Sequence, residues 1–315
     1  MDIVPAFGWA RNLRLANDSV ELIVTLEVGP RILGYRRLDG PNVLKTFDAH
    51  LGGTNEPEWM SRGGHRLWVS PEHPDLTYFP DNTAVEVETP RPGTVLLVSP
   101  PEVGPGFQKE IEITLDAEGT GVHLRHRVRN LGRDARTFAA WALTVMAPGG
   151  VAVLPLGPKR PHPGHPSNAR SADDFAPDNA LVVWPFTDLT DDRWTLGRSA
   201  ITLRQDPSRG PTKIGLAHRG GAVGYLNEGT LFVKRFPAAD GLRIYPDRGC
   251  NFETFTNEEM LELETLSPLV SVPPGGMIEL IERWELHEGL QAFDLLDGPA
   301  IAEMVRPFLD AGIRL

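Results

Sequence analysis

Two glutamates stand two positions apart in the apolar segment LELETLSPL, residues 261–269. Because strand side chains alternate between two faces, Glu262 and Glu264 share one face while leucines occupy the other. One interpretation is a sheet whose second face is solvated. The other is a carboxylate that lines a concave site. On the same face, Glu262 would either raise the pKa of Glu264 by like-charge repulsion or simply reach solvent.

A second group of polar and aromatic residues lies in WMSRGGHRLWVSPE, residues 59–72. Two glycines there allow a ligand to approach the backbone closely. They precede His65, Arg66, Trp68 and Glu72, a combination of donor, aromatic ring and carboxylate that suits a polyol. The alternative is structural: Arg66 pairs with Glu72, and Trp68 belongs to the core.

Two histidines, His162 and His165, occupy the proline-rich segment PHPGHP. Closed metal sites need about four ligands, so this pair predicts no metal site. The segment is either a solvated loop or a loop that lends a histidine to the binding site. It belongs to the longest irregular stretch, residues 157–198, and loops of this length are often functional.

Three further features carry weaker signals. YPDRGCNFETF, residues 245–255, precedes the glutamate strand and offers Asp247 and Arg248 as additional pocket residues. The basic stripe of HLRHRVRN, residues 123–130, is either a solvated strand face or a site for an acidic or phosphorylated sugar. Cys250 is the only cysteine, which excludes an intrachain disulfide and a thiolate zinc cluster.

Composition and absent motifs exclude several classes of function. The net charge of −11 opposes binding to nucleic acid or to an anionic membrane. The N-terminal residues lack a secretory signal and no segment is long and apolar enough to span a membrane, so we expect a cytoplasmic protein. No dinucleotide, P-loop, serine-hydrolase or zinc-protease motif occurs, and we predict no cofactor.

The positioning elements are predicted to be strands. Glycine and proline divide the chain into about a dozen short apolar runs with no helix between them, which excludes a parallel βαβ sheet. Many antiparallel strands hide their edges most easily as two sheets packed face to face. We therefore predict an all-β fold, a single extended β-sandwich domain over residues 1–315. Only residues 298–312 read as a helix, with Asp297 as N-cap and Pro307 bending or ending it.

Three regions together resemble a known family. They are VGPRILGYRRLDGPNVL (28–44), HRVRNLGRDARTFAAWALTV (126–145) and LELETLSPLVSVPPGG (261–276). These are similar to landmark regions of the galactose mutarotase-like, aldose 1-epimerase-like superfamily, and WMSRGGHRLWVSPE is similar to an uncharacterised branch of it. The resemblance implies a β-supersandwich whose concave sheet binds a carbohydrate.

The resemblance also implies roles for individual residues. Glu264 matches the family's base, which takes the proton from the anomeric hydroxyl. Trp141 stands where the family places a histidine that protonates the ring oxygen, and an indole cannot transfer that proton, although it can stack on a sugar. The family places sugar-contacting histidine and arginine near His65 and Arg66, so His65 becomes the first candidate for the acid and the pair His162 and His165 the second.

Three functions remain open on this reading. The first is an aldose 1-epimerase-like enzyme in which Glu264 and a histidine interconvert sugar anomers by ring opening. The second is a sugar-binding protein without turnover, in which Trp141 stacks on the ligand. The third is a lyase or hydrolase that acts on acidic sugars, because one fold hosts unrelated reactions. The expected partner in each case is a carbohydrate.

Overall fold

The computed structural model describes residues 1–157, 161–290 and 294–311. The first strands are β1 (Asp2–Ala6), β2 (Trp9–Ala16), β3 (Val20–Thr25), β4 (Arg31–Arg37), β5 (His65–Ser70), β6 (Glu86–Arg91), β7 (Thr94–Val98), β8 (Phe107–Leu115), β9 (Val122–Asn130), β10 (Arg136–Met146) and β11 (Val151–Pro155). The others are β12 (Leu181–Val183), β13 (Trp194–Leu196), β14 (Ala200–Arg204), β15 (Thr212–Leu216), β16 (Ala222–Asn227), β17 (Thr230–Arg235), β18 (Phe252–Thr256), β19 (Leu261–Leu266), β20 (Val270–Val272) and β21 (Met277–His287). The α-helices are α1 (Pro74–Thr77) and α2 (Gly298–Leu309).

The strands form two antiparallel sheets packed face to face. The eleven-stranded sheet has the order β1-β2-β3-β4-β5-β10-β19-β18-β15-β12, with β20 also paired to β10. The ten-stranded sheet has the order β13-β14-β11-β16-β17-β21-β9-β8-β7-β6. The main hydrophobic core combines residues of both sheets, among them Leu261 and Leu263 of β19 and Ile111 and Ile113 of β8. The all-β sandwich prediction is confirmed.

Several elements differ from the sequence prediction. The hairpin β1–β2 was missed; its turn places Phe7 and Gly8 at positive φ, 50° and 81°. Strand β5 was missed because polar and apolar residues occur on both of its faces, His65 with Leu67 and Arg66 with Trp68, so its sequence does not alternate. The irregular stretch 157–198 contains β12 and β13, the edge strands of the two sheets, while residues 158–160 lie outside the described residues.

The C-terminal helix agrees with its prediction. Asp297 caps α2 by accepting a hydrogen bond from the backbone N–H of Ala300 at 3.0 Å. Pro307 lies inside the helix, which continues to Leu309, and residue 312 of the predicted range lies outside the described residues. None of the described helices is long and apolar enough to cross a membrane.

A buried polar network joins the two sheets inside the core. Lys234 of β17 and Glu282 of β21 are fully buried and lie 3.0 Å apart, Nζ to Oε1. The ammonium group also donates to Thr144 Oγ1 at 2.9 Å and to the carbonyl of Leu263 at 3.0 Å. Trp284 Nε1 donates to the other glutamate oxygen at 2.8 Å. The network therefore gives the buried ion pair the hydrogen bonds that such a pair needs.

Two neutral imidazoles complete this network. His126 Nδ1 must donate to the carbonyl of Leu280 at 3.1 Å, which leaves its Nε2 as an acceptor. His65 Nε2 then donates to His126 Nε2 at 2.7 Å, and His65 Nδ1 accepts from Thr144 Oγ1 at 2.9 Å. Burial lowers the pKa of both histidines, in agreement with neutral rings.

A third buried histidine predicts a loss of stability in acid. Burial lowers the pKa of His218 to about 4, against about 6.5 in an unfolded chain. Between these two pKa values, His218 binds a proton in the unfolded state but not in the folded state. The free energy of unfolding therefore falls by about 1.4 kcal/mol per pH unit as the pH decreases from about 6.5 to about 4. The ring packs 5.4 Å from Phe236, away from the network above.

Urea unfolding of the wild type and of His218→Gln at about pH 6 and about pH 5 measures this contribution. We expect the variant to lose less stability between these two pH values, because its residue 218 does not titrate. The carboxyl groups with shifted pKa values are common to both proteins and cancel in the comparison. Equal losses in the two proteins would contradict the prediction.

Candidate functional site

The outer face of the eleven-stranded sheet, turned away from the ten-stranded sheet, carries the predicted carboxylates. Leu143 of β10 lies opposite Arg66 of β5 on one side and opposite Glu264 of β19 on the other. Glu264 in turn lies directly opposite Glu253 of β18. Paired residues of antiparallel strands point to the same face, so these side chains form one row.

One lysine joins two of the carboxyl groups. Lys213 of β15 places its Nζ 2.7 Å from Glu253 Oε2 and 2.9 Å from Glu264 Oε2. Trp141 Nε1 donates a second hydrogen bond to Glu264 Oε2, at 3.0 Å. The other oxygen, Glu264 Oε1, is buried and has no hydrogen-bond partner among the described residues. A ligand hydroxyl group would satisfy it.

Burial and neighbouring charges shift the pKa values of Lys213 and Glu253. Burial opposes the charged form of Lys213, but Glu264 and Glu253 outweigh burial and raise its pKa. Burial raises the pKa of Glu253 well above its ordinary value; Lys213 opposes the shift, whereas Glu264 and Asp247 add to it. The surroundings of Glu253 therefore favour its protonated form.

Asp247 completes this group. Burial raises its pKa too, and its carboxyl group hydrogen-bonds to that of Glu253. Glu253 Oε1 is buried and has no hydrogen-bond partner among the described residues. We call Lys213, Asp247, Glu253 and Glu264 the Lys213 cluster.

Glu262 is not solvated. It is only 6% exposed and accepts a hydrogen bond from Arg66 at 3.0 Å, which excludes the half-solvated sheet. Burial raises its pKa although Arg66 opposes the shift. The Arg66 guanidinium lies 4.2 Å from the ring centre of Trp68, and the Trp68 ring lies 5.4 Å from that of Trp141. A row of aromatic rings thus runs beside the carboxylates.

Residues from surrounding loops cover this face. Trp184 lies over Lys213 at 4.7 Å, and Trp59 and Tyr78 pack against Trp68 at 5.1 and 4.9 Å between ring centres. Gly215 allows the close approach, because a Cβ there would lie 2.4 Å from Cys250 Sγ and 3.2 Å from Trp184. Solvent does not reach Glu264 beneath them. Trp59, Tyr78 and Trp184 are called the covering residues below.

The structure does not bring His65 to this site. The ring of His65 points into the core between the sheets, on the face opposite Glu264, and contacts His126 and Trp284. The strand register explains this, since His65 lies opposite Thr144 whereas Arg66 lies opposite Leu143. The geometry therefore gives no support to His65 as an acid partner of Glu264.

The other predicted site residues divide into two groups. Arg66, Trp68 and Trp141 lie with Glu264 on the outer face, and Asp247 joins through Glu253. The remainder are exposed: Glu72 hydrogen-bonds to Tyr78, His165 caps a short 3-10 turn, and His162 and Arg248 lie at the surface. The pairing of Arg66 with Glu72 is wrong, because Arg66 pairs with Glu262.

His65, His126 and Glu282 are the one group of potential metal ligands that the described residues bring together. Their polar atoms already have the hydrogen bonds described above. The two Nε2 atoms lie 2.7 Å apart, whereas two imidazoles on a tetrahedral zinc ion, with bonds of about 2.0–2.1 Å, would hold them roughly 3.3 Å apart. The group fits a hydrogen-bonded network rather than a metal site.

Lys213 and the covering residues were missed by the sequence analysis, and Glu253 was noticed without being chosen. Because side chains alternate between the two faces of a strand, the sequence determines which residues of β15 share a face with Lys213 and which residues of β18 share a face with Glu253. Only the strand order β19-β18-β15 then shows that they adjoin Glu264. That order is a long-range property that no single segment contains.

Comparisons with known proteins bear on the fold. No family model and no curated protein sequence matches the chain. A galactose mutarotase-like protein from Clostridium acetobutylicum has a TM-score of 0.57 at 10% identity, over 91% of this chain and 98% of that one. One from Lactobacillus casei scores 0.53 at 10% identity, over 88% and 100%. A galactose mutarotase related enzyme from Lactobacillus acidophilus scores 0.51 at 9% identity, over 88% and 97%.

The fold is that of the galactose mutarotase-like proteins. The alignments cover nearly the whole length of both chains, which supports this statement. Sequence identities near one residue in ten show a common fold and not a common activity. On the outer face, Trp141 and Glu264 are in direct contact, Nε1 to Oε2 at 3.0 Å.

Proposed function

We propose that the protein binds a hexose against the outer face of the eleven-stranded sheet and interconverts its anomers by acid and base catalysis. One observation carries the proposal. Two opposed glutamates share one lysine, burial raises the pKa of one of them (Glu253) well above its ordinary value, and the other (Glu264) has a buried oxygen without a hydrogen-bond donor. Environments that push two carboxyl groups toward different protonation states are what acid and base catalysis requires.

The chemistry follows from these two states. Glu264 removes the proton from the anomeric hydroxyl while protonated Glu253 gives its proton to the ring oxygen. The bond between C1 and the ring oxygen breaks, C1 becomes a carbonyl carbon, and rotation about the bond between C1 and C2 exposes its other face before the ring closes. Each carboxyl group ends the cycle in its starting state. Glu253 thus takes the role of the family's histidine. Trp141, which stands in the position of that histidine, has no transferable proton.

Charge and aromatic surface favour a neutral sugar. With Glu253 neutral in the proposed mechanism, the carboxyl groups of Asp247, Glu262 and Glu264 still outnumber the cations Arg66 and Lys213, which opposes a uronic acid. Rings such as that of half-buried Trp59 offer a sugar a stacking surface. Because Glu264 is buried, a sugar reaches it only after the covering residues move aside.

A cytoplasmic location remains a prediction from sequence.

Polarimetry tests the proposal. Purified protein is added to freshly dissolved α-glucose or α-galactose at neutral pH, and the optical rotation is followed to equilibrium. We expect relaxation faster than the spontaneous rate, in proportion to protein concentration. Sugar binding detected by calorimetry without any acceleration would favour the non-catalytic function, which the contact between Trp141 and Glu264 suggests. A protein that shows no acceleration and no sugar binding would contradict both the catalytic and the non-catalytic function.

A further inference from the structure

A second cavity lies away from the Lys213 cluster. It has a volume of about 370 Å³ and opens between the start of β4, the loop at residues 79–83 and the connection from β7 to β8. None of its lining residues belongs to the Lys213 cluster or to the covering residues. The anomer chemistry proposed above makes no use of it.

The wall of this cavity is acidic. Glu56, Asp81 and Glu102 line it, and Lys109 is the only basic side chain among the lining residues. Two of these acids have their cationic partners elsewhere: Arg31 pairs with Asp81 at 2.8 Å and Arg62 with Glu56 at 2.7 Å. Both arginines are fully buried and absent from the lining. Three acids therefore belong to the lining, whereas two of the three cations that pair with them lie outside it.

Two of these carboxylates are incompletely hydrogen-bonded. Asp81 Oδ2 pairs with Arg31, but its Oδ1 is buried without a partner among the described residues. Glu102 is 4% exposed; its Oε1 lies 2.7 Å from Lys109 Nζ, and its Oε2 has no partner. Buried acceptors that lack donors are costly, so a donor group from a ligand would be favourable at both positions.

Part of the lining is apolar. Pro30, Phe79, Pro80 and Pro100 contribute rings, and Leu67 contributes an aliphatic side chain. Such a surface suits the carbon skeleton of a ligand, whereas the acids suit a cationic donor. Burial also raises the pKa of Glu102, although Lys109 opposes the shift.

We propose that this cavity binds a small primary amine, with its ammonium group between Asp81 and Glu102 and its carbon skeleton against Phe79 and the prolines. An ammonium group supplies three donors, enough for both unpartnered oxygens, and its charge suits the acidic wall. A neutral alcohol supplies one donor and no charge. A carboxylate supplies no hydrogen-bond donor, and the acidic wall repels its negative charge.

Calorimetric titration with three probes of similar size tests the chemical class. The probes are 2-phenylethylamine, 2-phenylethanol and phenylacetate, at millimolar concentrations and one pH. We expect the amine to bind at least about tenfold more tightly than the alcohol, as for a charge-assisted hydrogen bond over a neutral one, and phenylacetate to bind most weakly. An alcohol that binds as tightly as the amine, or an amine that does not bind, would overturn the proposal.

Three variants test the location. Thr83 and Pro101 are exposed rim residues of the cavity, so Thr83→Trp and Pro101→Trp should each block it without disturbing an ion pair. Val103 is 90% exposed and does not line the cavity, so Val103→Trp introduces the same side chain nearby as a control. We expect at least about a tenfold loss of amine affinity in the first two and no change in the third.

The acidic outer face is the competing site for an amine. Glu264→Gln removes one of its carboxylates and leaves the cavity intact, so amine binding should be unchanged in this variant. Binding that survives both blocking substitutions, or that is lost in Glu264→Gln, would place the amine elsewhere and overturn the proposal. None of these outcomes depends on whether the protein acts on sugars.

Discussion

Glu264→Gln is expected to reduce the acceleration of hexose mutarotation by about 10²- to 10⁴-fold, the usual contribution of a general base. The amide has nearly the same shape as the carboxylate. Its oxygen can still accept from Lys213 and Trp141, which lie 2.9 and 3.0 Å from Oε2. The amide cannot take a proton from the anomeric hydroxyl. The loss should therefore appear in kcat rather than in sugar affinity.

Glu262→Gln is the matched control for this variant. Glu262 lies two residues away on the same strand and face, is also buried, and loses the same charge on substitution. Its partner is Arg66, and it takes no part in the proposed proton transfers. We expect less than about a tenfold change in kcat. Similar losses in both variants would indicate a general electrostatic effect and would contradict the role of Glu264.

Lys234→Met is expected to lower the free energy of unfolding by about 3–5 kcal/mol, the usual cost of removing one partner of a buried ion pair. The substitution leaves the Glu282 carboxylate fully buried without its cation at 3.0 Å. Thr144 and the carbonyl of Leu263 also lose a donor. Urea unfolding followed by tryptophan fluorescence measures the loss, because Trp284 lies within the network.

The double variant Lys234→Met with Glu282→Gln separates the ion pair from simple packing. With both charges removed, no uncompensated carboxylate remains in the core, so the double variant should be more stable than Lys234→Met alone. A Lys234→Met variant within about 1 kcal/mol of the wild type would show that the pair is not needed for stability. A double variant less stable than the single would refute the electrostatic explanation.

Much of the fold was predictable from local patterns. Alternation and turn residues indicated the strands around residues 107–130 and 222–236, which form hairpins as expected. The fully buried β5 was missed because polar and apolar residues occur on both of its faces, which leaves no alternation to detect. The short edge strand β12 was missed because three residues carry too little pattern.

The candidate site was only partly predictable for a similar reason. The spacing of Glu262 and Glu264 and the resemblance of the region identified the acidic strand, which the structure buries under the covering residues. The one-residue difference between His65 and Arg66 decides which of them lies on the same face of the sheet as Glu264, since neighbouring residues of a strand face opposite ways. The contribution of Lys213 depends on a strand order that local sequence does not encode.

A crystal structure of the protein soaked with galactose tests the central claim most directly. We expect the sugar on the outer face of the eleven-stranded sheet, with its anomeric oxygen about 2.6–3.2 Å from Glu264 Oε1 and its ring oxygen within the same distance of Glu253. Trp184 should have moved away from Lys213, over which it lies at 4.7 Å in the free protein. Sugar bound elsewhere, with the Lys213 cluster still closed beneath the covering residues, would contradict the account.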